Sequence, residues 1–223
     1  MSATNRGGER SEADFYPTPA WTVAPLLEVL DLPGGAWIEP GAGEGALVCA
    51  VNALRGDVDW TAVELHAERR GALQLAGARE VVIGDFVVKA AELAAAGRRF
   101  KVALGNPPFS LAQAFVELCL ELTDYVVMLE RLAWIGGSKG RRAAFNGRMP
   151  DLYDLGQVDF TGDGGDSSLY AWHVWGPGPA RTRDHGRYFL LERPPAALRR
   201  PGALPAIPAG ALAPRQADLF GGP

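Results

Sequence analysis

Glu39-Pro40-Gly41-Ala42-Gly43-Glu44-Gly45 joins two segments of different periodicity and is the most informative segment for the fold class. Ala36-Trp37-Ile38-Glu39 has the apolar composition of a buried strand, and residues 45–54 repeat their apolar positions as a helix does. The glycines between them allow a sharp turn and a close approach of the backbone to a ligand. The stretch therefore predicts a strand, a ligand-binding turn and a helix.

The same alternation of strand and helix continues along the chain. Further strands are predicted at residues 60–64, 81–85, 101–105 and 125–129, and helices at 67–75 and 110–122, the second with Ser110 as its N-cap. Residues 168–175 alternate as a strand that completes the sheet, with positions 170, 172 and 174 on one face. Strands separated by helices pair in parallel through right-handed crossovers. The pattern predicts an α/β fold with a doubly wound, mostly parallel sheet.

The composition is that of a globular protein, with 48% apolar and 22% charged residues in a chain of 223. No apolar run is long enough to span a membrane, so we expect a cytoplasmic protein with no membrane partner. Cys49 and Cys119 fall in predicted helices without a nearby histidine, which favours buried reduced thiols and no metal site.

The net charge of −4 is divided unevenly along the chain. Residues 1–130 carry 10 basic and 18 acidic side chains, a net charge of −8, whereas residues 131–223 carry 12 and 8, a net charge of +4. A polyanion such as nucleic acid would therefore bind to the second half.

Composition also divides the chain into regions. Residues 1–13 are predicted to be a flexible arm, residues 14–193 the folded domain, and residues 194–223 a tail that holds seven of the 17 prolines. Residues 136–167 are polar and glycine-rich, which predicts a loop or insertion in the domain. The basic side chains of this insertion are Lys139, Arg141, Arg142 and Arg148.

The glycine turn indicates which kind of ligand it binds. Its G-x-G-x-G spacing differs from the G-x-G-x-x-G fingerprint that places a pyrophosphate at a helix N-terminus. The acidic Glu39 before the turn would repel phosphates but would suit a cationic amino-acid group, which S-adenosylmethionine (SAM) carries. We therefore predict that Glu39, Pro40, Gly41 and Gly43 bind SAM.

Acidic residues also end the next two predicted strands. Glu64 ends the second strand, where acceptors for ribose hydroxyls are needed, and Asp85 with Phe86 follows the third, where an adenine ring could be bonded and stacked. Any strand end can carry a solvated carboxylate, so these two positions are weaker indications than the turn.

Asn106-Pro107-Pro108-Phe109 follows the fourth predicted strand and carries the chemistry. Two prolines fix the backbone and remove two N–H donors, so this loop presents acceptors, the Asn106 side-chain oxygen and the Pro107 carbonyl. Two adjacent acceptors fit one amino group and would turn its lone pair toward an electrophile. Phe109 offers a ring on which a planar base or amide can stack.

Together with Phe15-Tyr16-Pro17-Thr18-Pro19 and the glycine turn, this loop resembles the N6-adenine-specific DNA methyltransferases, particularly the short phage- and prophage-type members. The order of the motifs is similar to that of the gamma class, and the resemblance covers residues 14–176. It implies the class I SAM-dependent methyltransferase fold and methyl transfer to a flipped adenine in DNA.

The resemblance also implies roles for individual residues. Tyr16, Pro17 and Thr18 would cradle the methionine end of SAM together with Asn106, and residues 106–109 would hold the adenine. Residues 136–167 would recognise the target, and their basic side chains would contact DNA phosphates; a solvated basic loop is the alternative.

Gln216-Ala217-Asp218-Leu219-Phe220 near the end of the tail resembles the peptide with which many bacterial proteins bind the DNA sliding clamp. Gln216, Asp218, Leu219 and Phe220 would then contact the clamp. A peptide that packs on its own domain is the alternative.

Two other functions stay open. The Asn-Pro-Pro-aromatic loop also suits methylation of adenine in RNA or of glutamine in protein. A catalytically silent nucleic-acid-binding or clamp-associated module is a second alternative, which the intact Gly41, Gly43, Asn106 and Phe109 disfavour. The glycine spacing disfavours a nicotinamide-dependent oxidoreductase.

Overall fold

A computed structural model of the chain describes residues 17–161, 167–177, 186–196 and residue 199. The strands in these ranges are β1 Gly35–Pro40, β2 Val58–Glu64, β3 Glu80–Ile83, β4 Phe100–Gly105, β5 Thr123–Arg131, β6 Asp151–Gln157, β7 Leu169–Trp175 and β8 Tyr188–Leu190. The α-helices are α1 Ala24–Val29, α2 Ala46–Asn52, α3 Arg70–Leu75, α4 Phe86–Ala95, α5 Ala112–Leu122 and α6 Lys139–Ala144. Short 3₁₀ turns at Ala20–Thr22 and Ala67–Arg69 precede α1 and α3.

The strands form one sheet in the order β3-β2-β1-β4-β5-β7-β6-β8. The first five strands of the chain pair in parallel, as strands connected by helical crossovers must. β7 pairs antiparallel with both β5 and β6, and the short β8 lies parallel to β6 at the edge. The predicted doubly wound, mostly parallel sheet is confirmed.

Apolar side chains cover both faces of the sheet, which is why its central strands read as continuous apolar runs. In β5, Val127 and Leu129 contribute to one core cluster, and Val126 and Met128 to the other. The predicted alternation of β7 is confirmed, because the side chains at 170, 172 and 174 join the first cluster and Trp175 joins the second. None of the helices in the described ranges is long and apolar enough to cross a membrane.

Residues 136–167 were predicted to be a loop or insertion, and the loop alternative was wrong, since this stretch contains α6 and the sheet strand β6. Asp151 and Asp154 contribute to its polar composition, yet both are buried. Arg187 donates to the Asp151 carboxylate and the Tyr188 hydroxyl donates to Asp154. These partners lie 34 or more residues away in sequence, so local patterning does not reveal them.

Two smaller expectations also need correction. Ser110 is not the N-cap of α5; Leu111 holds that position and makes no side-chain capping bond. Cys119 is buried in α5 as expected, but Cys49 lies on the exposed face of α2. Burial raises the pKa of the Cys119 thiol, which keeps it protonated.

Candidate active site at the carboxyl end of the sheet

The glycine turn after β1 adopts a backbone that side chains disfavour. Gly41, Gly43 and Gly45 all have positive φ, at 68°, 57° and 86°. A Cβ on Gly45 would lie 2.7 Å from the Ala76 Cβ, so glycine is required there for space as well. The Ala42 amide donates to the Val63 carbonyl at 2.9 Å, which fastens the turn to the end of β2.

Glu64 lies at the end of β2, as predicted, and its buried carboxylate contacts the turn directly. The Gly43 amide donates to Glu64 Oε2 at 2.7 Å, while the His66 amide and Arg69 donate to Oε1 at 3.0 and 3.1 Å. A carboxylate thus accepts from an amide of the glycine turn, the kind of donor that a dinucleotide-binding turn offers to a phosphate. A carboxylate has about four acceptor sites, so one is left for a ligand hydroxyl.

Glu39, the residue before Pro40, is 3% exposed, and its Oε2 has no hydrogen-bond partner among the described residues. Burial raises the pKa of Glu39 well above its usual value; the charge of Glu64 raises it further, and a hydrogen bond from the Val48 backbone opposes the shift. An unpartnered buried carboxyl is costly unless a ligand completes it. A cationic amino group is the chemical complement of this atom.

Thr18 and Asn106 join two sequence motifs that are 88 residues apart. Asn106 Nδ2 donates to Thr18 Oγ1 at 3.1 Å, and Thr18 is only 7% exposed. Because the amide nitrogen is engaged in this way, the side-chain oxygen Oδ1 is the atom turned to other partners. Pro17 is exposed beside Thr18, and Tyr16 lies outside the described residues.

The Asn106 to Phe109 loop directly follows β4 at the carboxyl edge of the sheet. The Pro108 carbonyl accepts from the Leu111 amide at 2.8 Å, whereas no backbone amide in the described part of the chain donates to the Pro107 carbonyl. Phe109 packs partly against the core, and the guanidinium of Arg131 lies over its ring at 5.0 Å. The loop therefore carries the two predicted acceptors and an aromatic ring; Pro107 is buried, and Asn106 and Phe109 are partly buried.

The third strand end differs from the prediction. β3 ends at Ile83, and Asp85 is the N-cap of α4, where its Oδ1 accepts from the Val87 amide at 2.8 Å. Phe86 is 3% exposed and packs against Phe115 with ring centroids 4.8 Å apart. Its ring belongs to the core, so the expected stacking of Phe86 on an adenine is not supported; Asp85 is exposed, and its ligand role stays a prediction.

The four basic side chains of the insertion lie on or just after α6 and fall into two pairs. Arg141 donates to the Trp134 carbonyl at 2.6 Å and stacks over the Trp134 ring; Arg148 donates to the Ala144 carbonyl at 3.0 Å and stacks over Phe145. These two arginines therefore support the local fold. Lys139 and Arg142 are exposed and are the better candidates for phosphate contact.

Sequence reasoning missed Glu130 and Arg131, the last two residues of β5. Both oxygens of the buried Glu130 have no partner among the described residues, and burial raises its pKa well above the usual value, although Arg141 and Arg131 lower it. The signal was present, because these residues directly follow the apolar run predicted as the fifth strand. Ligands bind beyond the carboxyl ends of parallel strands, so Glu130 and Arg131 are candidates by the same argument that selected Glu64 and Asn106.

Within the described ranges, no group of three or more histidine, cysteine or acidic side chains could hold a metal ion. The site at the carboxyl edge consists instead of hydrogen-bond acceptors, the glycine turn and the aromatic ring of Phe109.

The sheet order and the glycine turn define a doubly wound, mostly parallel α/β fold, as predicted. The chain is similar to the solved structure of a predicted O-methyltransferase, protein Atu636 from Agrobacterium tumefaciens, with a TM-score of 0.55 and 21% identity over 78% of this chain and 87% of that one. It also matches TrmN from Thermus thermophilus with a TM-score of 0.48 and 18% identity over 70% of this chain and 48% of that one. No protein-family model and no curated protein matches the sequence.

Proposed function

We propose that this chain transfers a methyl group from SAM to the exocyclic N6 amino group of adenine in DNA. The observation that carries the proposal is the hydrogen bond from Asn106 to Thr18. It joins the motif expected to hold the methionine end of SAM to the motif expected to hold the target amino group. A donor and an acceptor substrate bound at these two motifs would be neighbours.

The residues of the turn fit SAM. Glu39 Oε2 would accept from the ammonium group of the cofactor, and the remaining acceptor site of Glu64 would take a ribose hydroxyl. Gly41 permits close approach of a ligand to the backbone, since it has no side chain and its φ of 68° disfavours one. When bound, SAM supplies an electrophilic methyl group on a sulfonium centre.

The Asn106 to Phe109 loop would position the amino group. Asn106 Oδ1 and the Pro107 carbonyl would accept the two amino hydrogens, which weakens delocalisation of the nitrogen lone pair into the ring and directs it toward the methyl group. The S–CH₃ bond would break as the N–CH₃ bond forms, leaving a neutral thioether, and the nitrogen would lose one proton to solvent after transfer. Both acceptors are neutral and remove no proton before transfer, so alignment supplies the rate enhancement. Phe109 would stack on the base, and this stacking would offset part of the few kcal/mol that flipping a base out of the duplex costs.

Contact with the DNA backbone would come from α6. Lys139 and Arg142 are exposed there, in the half of the chain that carries the net charge of +4. Binding of the sliding clamp through Gln216, Asp218, Leu219 and Phe220 is a separate part of the proposal, because these residues lie outside the described ranges.

The test is a methyl-transfer assay with radiolabelled SAM. Duplex DNA, single-stranded DNA, bulk RNA and a protein extract are offered to the full chain and to the variants Asn106→Ala and Gln113→Ala. Gln113 is an amide on α5 that donates to Glu117 one turn further along the same helix, and it serves as the matched control.

We expect label in DNA as N6-methyladenine with the wild type and with Gln113→Ala. Asn106→Ala should lose transfer while calorimetry still detects SAM binding. Label in RNA or protein alone would refute DNA as the substrate, and loss of SAM binding together with transfer in Asn106→Ala would remove the role assigned to Asn106.

A further inference from the structure

Arg131 lies beside the aromatic ring of the proposed substrate site. It is the last residue of β5, its side chain is exposed, and its guanidinium carbon lies 5.0 Å from the centroid of the Phe109 ring. Phe109 follows β4, the strand that pairs with β5. We infer that Arg131 forms the second wall of the substrate slot, so that the planar amino-bearing group binds between Phe109 and the guanidinium. The inference rests on the proposed function.

The observed spacing defines what must move. Each stacked layer needs about 3.5 Å, so a planar group between ring and guanidinium requires about 7 Å. The 5.0 Å separation leaves no room for it. Arg131 must therefore swing outward by about 2 Å for such a group to enter. In the structure the guanidinium covers the Phe109 ring.

The chemistry of the guanidinium suits this role better than that of an ammonium. Arginine is planar and weakly hydrated, so it stacks on ring faces while keeping its charge, whereas lysine is a compact, strongly hydrated point charge. A planar heterocycle or amide gains two stacking surfaces between Phe109 and Arg131. A non-planar amine of similar size gains neither, so the slot selects flat amino groups.

The experiment compares Arg131→Ala, Arg131→Lys and the control Arg98→Ala in the methyl-transfer assay. Arg98 makes a similar contact, 5.3 Å over the Phe100 ring, but at the amino end of β4, away from the site. KM for the polymer, kcat and the SAM dissociation constant are measured for each variant on whichever polymer the wild type methylates.

Arg131→Ala should raise KM by about tenfold, the range that one stacked base contributes. Arg131→Lys should stay close to Arg131→Ala, because it restores charge without a flat surface. SAM affinity should be unchanged in both variants, and Arg98→Ala should match the wild type in all three quantities.

The outcomes separate this inference from the proposed function. A wild-type KM in Arg131→Lys would show that charge alone matters and would overturn the stacking role; a lower KM in Arg131→Ala would show that Arg131 only blocks the ring. Transfer by the wild type to RNA or protein but not to DNA would overturn the proposed substrate, while the variants still decide the role of Arg131. No transfer to any polymer would overturn both.

Discussion

Replacing Glu39 with glutamine separates the cofactor-binding role of this residue from its effect on stability. The carboxyl is 3% exposed, with Oε2 unpartnered among the described residues, and glutamine keeps its size while removing the ability to ionise. If Glu39 holds the ammonium group of SAM, the substitution removes one charge of a buried pair.

The size of the effect follows from the burial. Removing one partner of a buried, hydrogen-bonded charge pair costs about 2 to 4 kcal/mol, which is a loss in SAM affinity of about 30-fold to nearly 1,000-fold. The stability of the ligand-free protein should change in the opposite direction at neutral pH, because glutamine needs no ionisation in the core.

The stability of the folded protein and its affinity for SAM should change in opposite directions as pH rises. Burial raises the pKa of Glu39 in the folded protein above its usual value near 4.5, so the folded state retains a proton that the unfolded state has lost. The contribution of Glu39 to stability therefore falls as pH rises above about 4.5, and Glu39→Gln removes that slope. SAM affinity should rise with pH over the same window, because the cation favours the ionised carboxyl.

Isothermal titration of SAM at several pH values and urea unfolding measure both effects, and Glu130→Gln is the matched control. Glu130 is also buried and unpartnered among the described residues, and burial also raises its pKa, but it is the penultimate residue of β5, two strands away from β1 and its glycine turn. The control should lose the same kind of stability slope and bind SAM as the wild type does. SAM binding by Glu39→Gln within threefold of the wild type would falsify the role of Glu39.

Three further predictions concern the target and DNA contacts. Thr18→Val removes the acceptor of the 3.1 Å bond from Asn106, so kcat/KM should fall about fivefold for a bond of about 1 kcal/mol, and Thr18→Ser should restore it in the transfer assay. Arg142→Ala should weaken DNA binding and reduce the slope of log K against log salt concentration by about one. Arg141→Ala should mainly lower the urea midpoint of unfolding, because Arg141 supports Trp134. Deleting residues 216–220 should abolish retention on immobilised sliding clamp and leave methyl transfer to free DNA intact; unchanged retention would exclude this peptide as the clamp contact.

The sequence was sufficient to predict the parallel half of the sheet, because each of its strands is an apolar run followed by a glycine or an acidic residue. The pattern locates Glu64 and Asn106 at strand ends because the carboxyl ends of parallel strands meet at one edge. Prediction failed for β6, where buried Asp151 and Asp154 depend on partners beyond residue 185. Local periodicity carries no information about such distant pairs.

The failure at Phe86 has a different origin. Its place after the third strand is compatible both with an exposed stacking ring and with the first turn of a buried helix, and a single sequence does not distinguish them. In the structure Phe86 packs against Phe115, so its ring belongs to the core. Thr18 and Asn106 lie 88 residues apart and are hydrogen-bonded in the structure, and only the family resemblance assigned both to the cofactor.

The two edges of the sheet differ in how their polar groups are satisfied. Charged side chains near the amino ends of the parallel strands are paired, in Arg55–Asp57, Arg79–Asp59, Arg98–Glu80 and Lys101–Asp124. At or near the carboxyl ends the groups are mixed: Glu64 is paired with Arg69, whereas Glu39, Glu130 and Trp134 carry buried polar atoms without a partner in the described residues, as Trp21 and His173 also do. Leaving such groups without partners costs stability, and a fold tolerates this where binding requires it. In the described residues the buried carboxyls with unpartnered oxygens are Glu39 and Glu130, and both lie at the carboxyl edge, so we expect ligand binding to raise the stability of this edge more than that of the amino edge. Hydrogen exchange with and without SAM measures the difference: equal protection of the β1 and β4 amides at both ends would contradict it.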